Sequence, residues 1–245
     1  GVDHVLHQAA LGSVPRSIDD PIATNQSNTD GTLNMLVAAR DADAQSFVFA
    51  ASSSAYGDTP TLPKHEDMPK RPMSPYAVTK STCEDYLKVF HDLYDMNTVG
   101  LRYFNIFGAR QDPNGPYAAV IPKFIRTLQA GTAPTIHGDG GQTRDFTFIE
   151  NAVNANLLGA RNAARADGRT VNIACAERVS LNELYAMITA NLGLDIDPVY
   201  GPPRRGDVRD SLADISLAAE LIDYKPTVTV ADGLAVTVRW FEENR

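Results

Sequence analysis

Short apolar runs alternate with longer amphipathic stretches over the first hundred residues of the chain. Apolar runs at 2–10, 47–51 and 99–104 predict three buried strands, the first of them already under way at the N-terminus. Apolar residues at helical spacing predict a helix over 22–40, and a serine–proline pair predicts the start of another over 74–94. This alternation predicts a parallel sheet with helices on both faces.

Beyond Gly108 the alternation becomes less regular, and a loop rich in Asp, Pro, Asn and Gly at 112–115 leads into a second set of elements. In an open parallel sheet, ligands bind outside the carboxyl ends of the strands, so the residues just after Ala10, Ala51 and Phe104 are candidates for a site. The remaining predicted elements are helices at about 119–129, 150–164 and 180–192, two further helices near the C-terminus, and short strands at 135–136, 146–149 and 171–174.

The composition and charge of the chain indicate a globular protein and disfavour several kinds of partner. The chain has 245 residues, 43% of them hydrophobic and 21% charged, which is typical of a globular protein. Asp and Glu (30) outnumber Lys and Arg (22), and the resulting net charge of −8 disfavours a nucleic-acid partner. No apolar run approaches the ~20 residues of a membrane span, so we predict a cytoplasmic protein without a membrane partner. The two cysteines and five histidines lack metal-type spacing, and no metal site is predicted.

Tyr76 and Lys80 lie one helical turn apart on the predicted helix, so both side chains project from the same face. A nearby ammonium is expected to lower the pKa of a tyrosine from its usual ~10 and to make it a usable general base. By itself such a pair is also found on helices where it is structural. Three serines at 52–54, at the end of a predicted strand, add hydroxyls that could hold the same substrate oxygen; the alternative is a plain serine-rich turn.

Several segments taken together resemble the extended short-chain dehydrogenase/reductases, the family of nucleotide-sugar epimerases and dehydratases. The segments that carry this resemblance are HQAA at 7–10, NTDGT at 28–32, SSSAYG at 52–57, SPYAVTK at 74–80, LRYFNIFG at 101–108 and GDGGQTRDF at 138–146. A narrower resemblance, to the bacterial UDP-N-acetylglucosamine 4-epimerases, rests on ALGSVPRS at 10–17, RQDPNG at 110–115 and GDVRDSLAD at 206–214.

The resemblance implies an α/β fold: a Rossmann-like, doubly wound parallel sheet, truncated at its N-terminus, with a smaller C-terminal α/β substrate-binding lobe. Residues 1–115 would form the remainder of the NAD-binding Rossmann domain. Residues 116–245 would mainly form the UDP-sugar-binding lobe, with the chain crossing back to the Rossmann domain near 145–175.

The Gly-rich turn that this family carries between its first strand and first helix does not occur in the sequence, and neither does the acidic residue that follows it. We therefore expect an upstream part of about eighty to ninety residues to be missing. The family resemblance also implies a homodimer, formed through the helices predicted at 22–40 and 74–94.

The resemblance implies that Tyr76 is the base that takes the proton of the sugar 4-hydroxyl. Lys80 would lower the pKa of Tyr76 and bind the nicotinamide ribose of NAD, and Ser52 and Ser53 would hold the 4-oxygen. Further positions that match the cofactor site are Ala9, Ala10, Asn28 and Phe104. Positions that match the UDP-sugar site are Gly12, Ser13, Asn105, Ala119, Val120, Thr135, Ile136, His137, Arg144, Arg204, Asp207 and Ser211.

Ser211 matches the end of the hexose pocket, where glucose/galactose epimerases often carry a tyrosine, and a small residue there leaves room for an N-acetyl group. We therefore expect NAD-dependent C4 epimerisation of UDP-GlcNAc to UDP-GalNAc, for surface polysaccharide synthesis. The alternatives are a UDP-glucose/UDP-galactose 4-epimerase, another UDP-sugar dehydratase or decarboxylase, and a non-catalytic fragment that binds sugar nucleotides. A dehydratase usually shows an acidic pair where this chain has Ser53 and Ser54.

Overall fold

The structure is a computed structural model that describes residues 1–114, 119–203 and 209–244. Its strands are β1 His4–His7, β2 Ser46–Ser52, β3 Thr98–Tyr103, β4 Ile106–Phe107, β5 Thr135–His137, β6 Thr143–Arg144, β7 Thr147–Phe148, β8 Thr170–Ile173, β9 Val179–Ser180 and β10 Val199–Gly201. Its helices are α1 Val14–Asp19, α2 Pro21–Asn25, α3 Gly31–Asp41, α4 Pro75–Tyr94, α5 Val120–Gln129, α6 Ile149–Ala166, α7 Leu181–Leu192, α8 Ser216–Ile222 and α9 Val230–Glu243.

The main sheet has the order β1-β2-β3-β8, and its strands run parallel throughout the described residues. Alternate residues of β2 pack on opposite faces: Phe47 and Phe49 lie in a core with α3 and α4, and Val48 lies in a second core with α6 and α8. Both faces are therefore covered by helices, which explains the uninterrupted apolar run of β2. The predicted α/β fold with a Rossmann-like parallel sheet is confirmed.

The helix α4 begins where the serine–proline pair predicts. The Ser74 side chain accepts a hydrogen bond from the Ala77 N–H (3.2 Å), and Pro75 occupies the first helical turn, where its missing N–H costs nothing. The buried face of α4 carries Leu87 and Phe90 onto the sheet. The helix ends at Tyr94, as predicted.

Two local expectations differ from the structure. The helix predicted over 22–40 is interrupted by a π-helical turn, Gln26–Asp30, between α2 and α3. The segment before it contains a further helix, α1, which Ser13 caps by accepting a hydrogen bond from the Arg16 N–H (3.2 Å). The first strand is also shorter than predicted, because only four of its residues pair with β2.

A separate apolar core joins α5, α7 and α9, with Phe124, Leu184 and Phe241 among its buried side chains. The strand β8 lies in the main sheet although it follows α5 and α6 in sequence. The division into two domains near residue 115 stays a prediction. Among the helices described, none has the length and hydropathy that crossing a bilayer requires.

Candidate active site

A cleft of about 1100 Å³ opens at the carboxyl ends of β1, β2 and β3, the edge that the strand pattern predicts. It brings together residues from both ends of the chain. The predicted site residues that line it are Ala10, Gly12, Ser52, Ser53, Tyr76, Lys80, Phe104, Asn105, Arg144 and Ser211.

Tyr76 and Lys80 occupy the first turns of α4 and face this cleft. The Lys80 side chain is almost completely buried, its Nζ donates a hydrogen bond to the Ala50 carbonyl oxygen (2.7 Å), and it lies 4.7 Å from the centre of the Phe49 ring. The same Nζ is 5.9 Å from the centre of the Tyr76 ring. The helical spacing therefore places the ammonium beside the phenol, as predicted.

The pKa of Tyr76 is shifted in the opposite direction from the one expected. Burial raises the pKa of Tyr76 above its usual value, and the interaction with the Ser52 side chain only partly opposes this rise. Burial also lowers the pKa of Lys80 to about 8, against the opposing effects of Cys83 and Glu84. For Tyr76, desolvation therefore outweighs the hydrogen bond with Ser52, and burial favours the neutral phenol.

The serines after β2 form a compact turn that faces the cleft. The Ser52 hydroxyl oxygen accepts hydrogen bonds from the Ser54 N–H (3.2 Å) and the Ser54 hydroxyl (2.8 Å). A short 3-10 helix, Ser53–Tyr56, continues the turn and ends at Gly57, whose φ of 63° places it in the left-handed region. A Cβ at Gly57 would overlap the Arg71 carbonyl oxygen, so glycine is required to keep the serines in place.

Three further lining residues, Asn105, Arg144 and Ser211, come from three separate segments of the chain. Arg144 Nη1 donates hydrogen bonds to the carbonyl oxygens of Thr143 (2.8 Å) and Arg209 (3.0 Å), which orient the guanidinium. Ser211 is only partly buried, and its side chain is short. A guanidinium in this position is suited to a diphosphate.

Asn28 supports the cleft from behind. It is buried, its Oδ1 accepts a hydrogen bond from the Leu11 N–H (2.7 Å), and its Nδ2 donates to Thr79 Oγ1 (3.0 Å). Thr79 in turn donates to the Tyr76 carbonyl oxygen (2.8 Å). Asn28 thus joins the loop after β1 to the first turns of α4.

The remaining predicted positions that the structure describes do not line the cleft. Ala9 and Ser13 flank lining residues, and Ser13 serves as the cap of α1. Ala119 precedes α5 and Val120 begins it. Thr135, Ile136 and His137 form β5, which pairs with β10, and Ile136 is fully buried in the core of this part. The predicted Arg204 and Asp207 lie outside the described residues.

Sequence reasoning missed a ring of polar side chains on the cleft wall. The Tyr103 hydroxyl donates to Gln8 Oε1 (3.1 Å), Gln8 Nε2 donates to Asn156 Oδ1 (2.8 Å), and Asn156 Nδ2 donates to the Tyr103 oxygen (2.7 Å). The ring links the ends of β1 and β3 to α6. Its only signal in the sequence is a polar residue at the end of each strand, which is too general to single it out.

The residues around Lys80 fit a dinucleotide's nicotinamide ribose. An ammonium has three donors, and the Ala50 carbonyl accepts one of them. The phenol of Tyr76 lies beside it, and both face the cleft at the strand ends. Ammonium and phenol together are suited to the hydroxyls of a ribose, and Ala10 and Phe104 supply apolar wall nearby.

Comparison with known proteins finds a matching family and several similar epimerases. Residues 1–174 match the family described as "NAD dependent epimerase/dehydratase family". A UDP-glucose 4-epimerase of Mycolicibacterium smegmatis is 38% identical over 238 residues, which are 97% of this chain and 75% of the relative.

Two solved structures are similar over nearly the whole chain. The UDP-N-acetylglucosamine 4-epimerase from Methanobrevibacter ruminantium M1, in complex with UDP-N-acetylmuramic acid, matches with a TM-score of 0.95 and 42% identity over 99% of this chain and 77% of that one. The UDP-glucose 4-epimerase of Thermotoga maritima with UDP-glucose matches with a TM-score of 0.94 and 34% identity over 99% of this chain and 78% of that one. This chain spans about three quarters of the length of both proteins.

Proposed function

This chain belongs to the NAD-dependent epimerase/dehydratase family, and from that premise we propose that it interconverts UDP-GlcNAc and UDP-GalNAc at C4 of the hexose. The family match confirms the resemblance inferred from the motifs, together with NAD as the cofactor and UDP-sugar 4-epimerases as relatives. The observation that carries the proposal is the placement of Tyr76, Lys80 and Ser52 in one cleft that the small Ser211 also lines.

The protein's own residues would bind the substrate and move a proton. Ser52 and Ser53 would hold the 4-oxygen. Tyr76 would take the proton of the 4-hydroxyl and return it after the sugar has rotated in the cleft. Lys80 would hold the cofactor's ribose and stabilise the phenolate, with Ala10 and Phe104 lining the cofactor. When bound, NAD supplies the acceptor and donor of hydride and a positively charged ring.

The raised pKa of Tyr76 makes positive charge near the phenol a requirement of this reaction. Burial holds the proton on Tyr76, and an opposite charge close by favours the phenolate. Lys80 Nζ, 5.9 Å from the ring centre, is the group in place to supply it.

The preference for an acetylated sugar rests on Ser211. A small, partly buried residue at the end of the cleft leaves volume for an N-acetyl group. The similarity to the Methanobrevibacter ruminantium UDP-N-acetylglucosamine 4-epimerase supports this preference. The similarity to UDP-glucose 4-epimerases favours UDP-glucose and UDP-galactose as the second candidate pair.

The outer face of α4 supports a homodimer. Val78, Val89 and Leu93 are exposed on this helix, and Met35 is exposed on α3 beside it. Apolar side chains that recur along one helical face at the surface are typical of an interface. A second copy of the chain that brings the same face is the partner we propose.

The test of the proposed function is epimerase activity with added NAD, measured for UDP-GlcNAc and UDP-glucose separately. Tyr76→Phe removes the proposed proton acceptor and is expected to lower turnover by about 100-fold or more. Tyr86→Phe is the matched control, because Tyr86 lies on the same helix and packs in the core behind it. Full turnover by Tyr76→Phe would contradict the mechanism, and a faster reaction with UDP-glucose would favour the second candidate.

A further inference from the structure

Asp145 is a fully buried acid that the sequence motifs did not single out. It lies between β6 and β7 and has no exposed surface. One carboxylate oxygen, Oδ1, accepts a hydrogen bond from the Cys175 N–H (3.0 Å), and the other, Oδ2, accepts from the Ala213 N–H (3.1 Å). The side chain therefore fastens together two backbone segments that are far apart in the sequence.

The backbone of the same residue holds two side chains of the cleft. The Asp145 carbonyl oxygen accepts a hydrogen bond from Asn105 Nδ2 (3.2 Å), and the Asp145 N–H donates to Ser211 Oγ at a long 3.5 Å. Asn105 has a φ of 36°, an uncommon conformation for a residue other than glycine, which needs support from its surroundings. Asp145 thus contacts two of the residues that line the cleft.

A carboxylate is the side chain that this arrangement requires. Both of its oxygens accept, whereas an amide of the same shape has one acceptor and one donor. An asparagine would turn an N–H toward the N–H of Cys175 or Ala213. Burial raises the pKa of Asp145 to about 7, so the charged form is held at a cost that these N–H donors partly offset.

We propose that Asp145 is a positioning residue that sets the affinity of the cleft for the hexose of the substrate, by holding Asn105 and Ser211 in place. This inference rests on the proposed function, because it assumes that a UDP-sugar occupies the cleft. Asp145 itself does not line the cleft, so its effect on the substrate passes through these two residues.

Asn151 provides a matched control. It is fully buried on α6, and its Oδ1 accepts from the N–H groups of Thr227 (2.8 Å) and Val228 (3.1 Å). Its Nδ2 donates to the Val228 carbonyl oxygen (2.8 Å). Asn151 thus joins α6 to one distant segment through buried hydrogen bonds, and like Asp145 it does not line the cleft. Asn151→Asp and Asp145→Asn are substitutions of the same size, because each replaces one terminal side-chain atom, a nitrogen by an oxygen in the first and an oxygen by a nitrogen in the second.

The test combines amide hydrogen exchange with calorimetric titration of UDP-GlcNAc and UDP into the full chain. In Asp145→Asn we expect the amides of Cys175 and Ala213 to exchange faster, the affinity for UDP-GlcNAc to fall about tenfold, and the affinity for UDP to fall less. In Asn151→Asp we expect faster exchange at Thr227 and Val228 with a UDP-GlcNAc affinity within about twofold of wild type.

The two proposals fail in different ways. A wild-type chain that binds no UDP-sugar contradicts the proposed function and this inference with it. Wild-type binding that Asp145→Asn leaves within about twofold overturns the inference alone, and so does an equal loss of affinity in Asn151→Asp, because the effect is then general loosening of the fold.

Discussion

Two groups of residues that line the cleft are built in different ways. The α4 wall (Ser52, Tyr76 and Lys80) consists of one helix and the end of the strand beside it. The β6 wall (Asn105, Arg144 and Ser211) gathers three segments, and the hydrogen bonds that join them connect residues 40 to 68 positions apart. The helix itself fixes the relative positions of Tyr76 and Lys80, which lie about one turn apart. The residues of the β6 wall come together only when segments distant in sequence have folded against one another.

Because of this difference, different substitutions are expected to disturb each wall. The α4 wall depends on how α4 sits on the sheet, and a buried ion pair holds it there: Arg102 of β3 donates from Nε and Nη2 to the two carboxylate oxygens of Glu84 (2.8 and 2.7 Å). In the β6 wall the buried carboxylate of Asp145 joins the segments of Cys175 and Ala213, and backbone hydrogen bonds such as that from the Ser211 N–H to the Thr143 carbonyl oxygen (3.2 Å) add to it. Breaking one fastening should therefore affect one wall more than the other.

The largest effect is expected from Glu84→Gln, which leaves the Arg102 guanidinium buried without its counter-charge. Loss of one partner of a buried pair costs about 3–5 kcal/mol in the free energy of unfolding. Urea denaturation of the variant measures this loss. The control is Asp92→Asn in the exposed pair with Lys88 on the same helix, for which we expect about 0.5 kcal/mol or less. A similar, small loss for both variants would mean that the apolar face of α4 suffices to hold the α4 wall.

Lys80→Met tests the chemistry of the α4 wall separately from its stability. We expect turnover to fall about 100-fold, because no ammonium then lies beside the phenol. Thermal unfolding should occur at the same or a higher temperature, because burial of the Lys80 charge is unfavourable, as its lowered pKa indicates. The control is Lys88→Met at an exposed position two turns further along α4, which should change neither the turnover nor the unfolding temperature. Retained turnover in Lys80→Met would remove Lys80 from the proposed mechanism.

The extent to which the sequence predicts the site follows the same division. The parallel sheet, the start of α4 at Pro75 and the facing of Tyr76 and Lys80 follow from periodicity, capping and helical spacing, which are local properties. The predicted lowering of the Tyr76 pKa is not found, because burial raises it. Burial depends on the tertiary fold, which the spacing of two residues on a helix does not reveal.

The β6 wall shows what local patterns leave out. Arg144 and Ser211 were identified only through the family resemblance, and Asp145 was not identified at all, although it follows Arg144 directly. An acid before an aromatic residue gives no sign that its carboxylate will meet the amides of Cys175 and Ala213. Such a role becomes visible only when segments distant in sequence are seen in contact.

Ser211→Tyr tests the open end of the β6 wall. A phenol ring there would occupy the volume that an N-acetyl group needs, so we expect the affinity for UDP-GlcNAc to fall about tenfold more than that for UDP-glucose. Competitive titration with the two sugar nucleotides measures the difference. The control is Ser216→Tyr at the exposed start of α8, which should leave both affinities unchanged. An equal loss for both sugars would mean that Ser211 does not discriminate between them.

The smallest expected effect is a dependence of stability on pH that belongs to the β6 wall. Because burial raises the pKa of folded Asp145 from its ordinary 3.8 to about 7, the folded state favours the protonated carboxyl. The contribution of Asp145 is therefore most favourable below the ordinary value and is lost as pH rises through about 7. Around that pH the free energy of unfolding of wild type, relative to Asp145→Asn, should fall by about 0.7 kcal/mol per pH unit.

Urea denaturation of both proteins across this range isolates the effect, because the neighbouring ionisable groups Cys175, Glu177 and Tyr224 are common to both. The α4 wall should respond in a different window. Since the pKa of folded Lys80 is lowered to about 8, its contribution improves only as pH rises above that value toward the ordinary 10.5. A difference between wild type and Asp145→Asn that stays constant from slightly acid to slightly alkaline pH would mean that Asp145 keeps its charge, and that its N–H donors then outweigh burial.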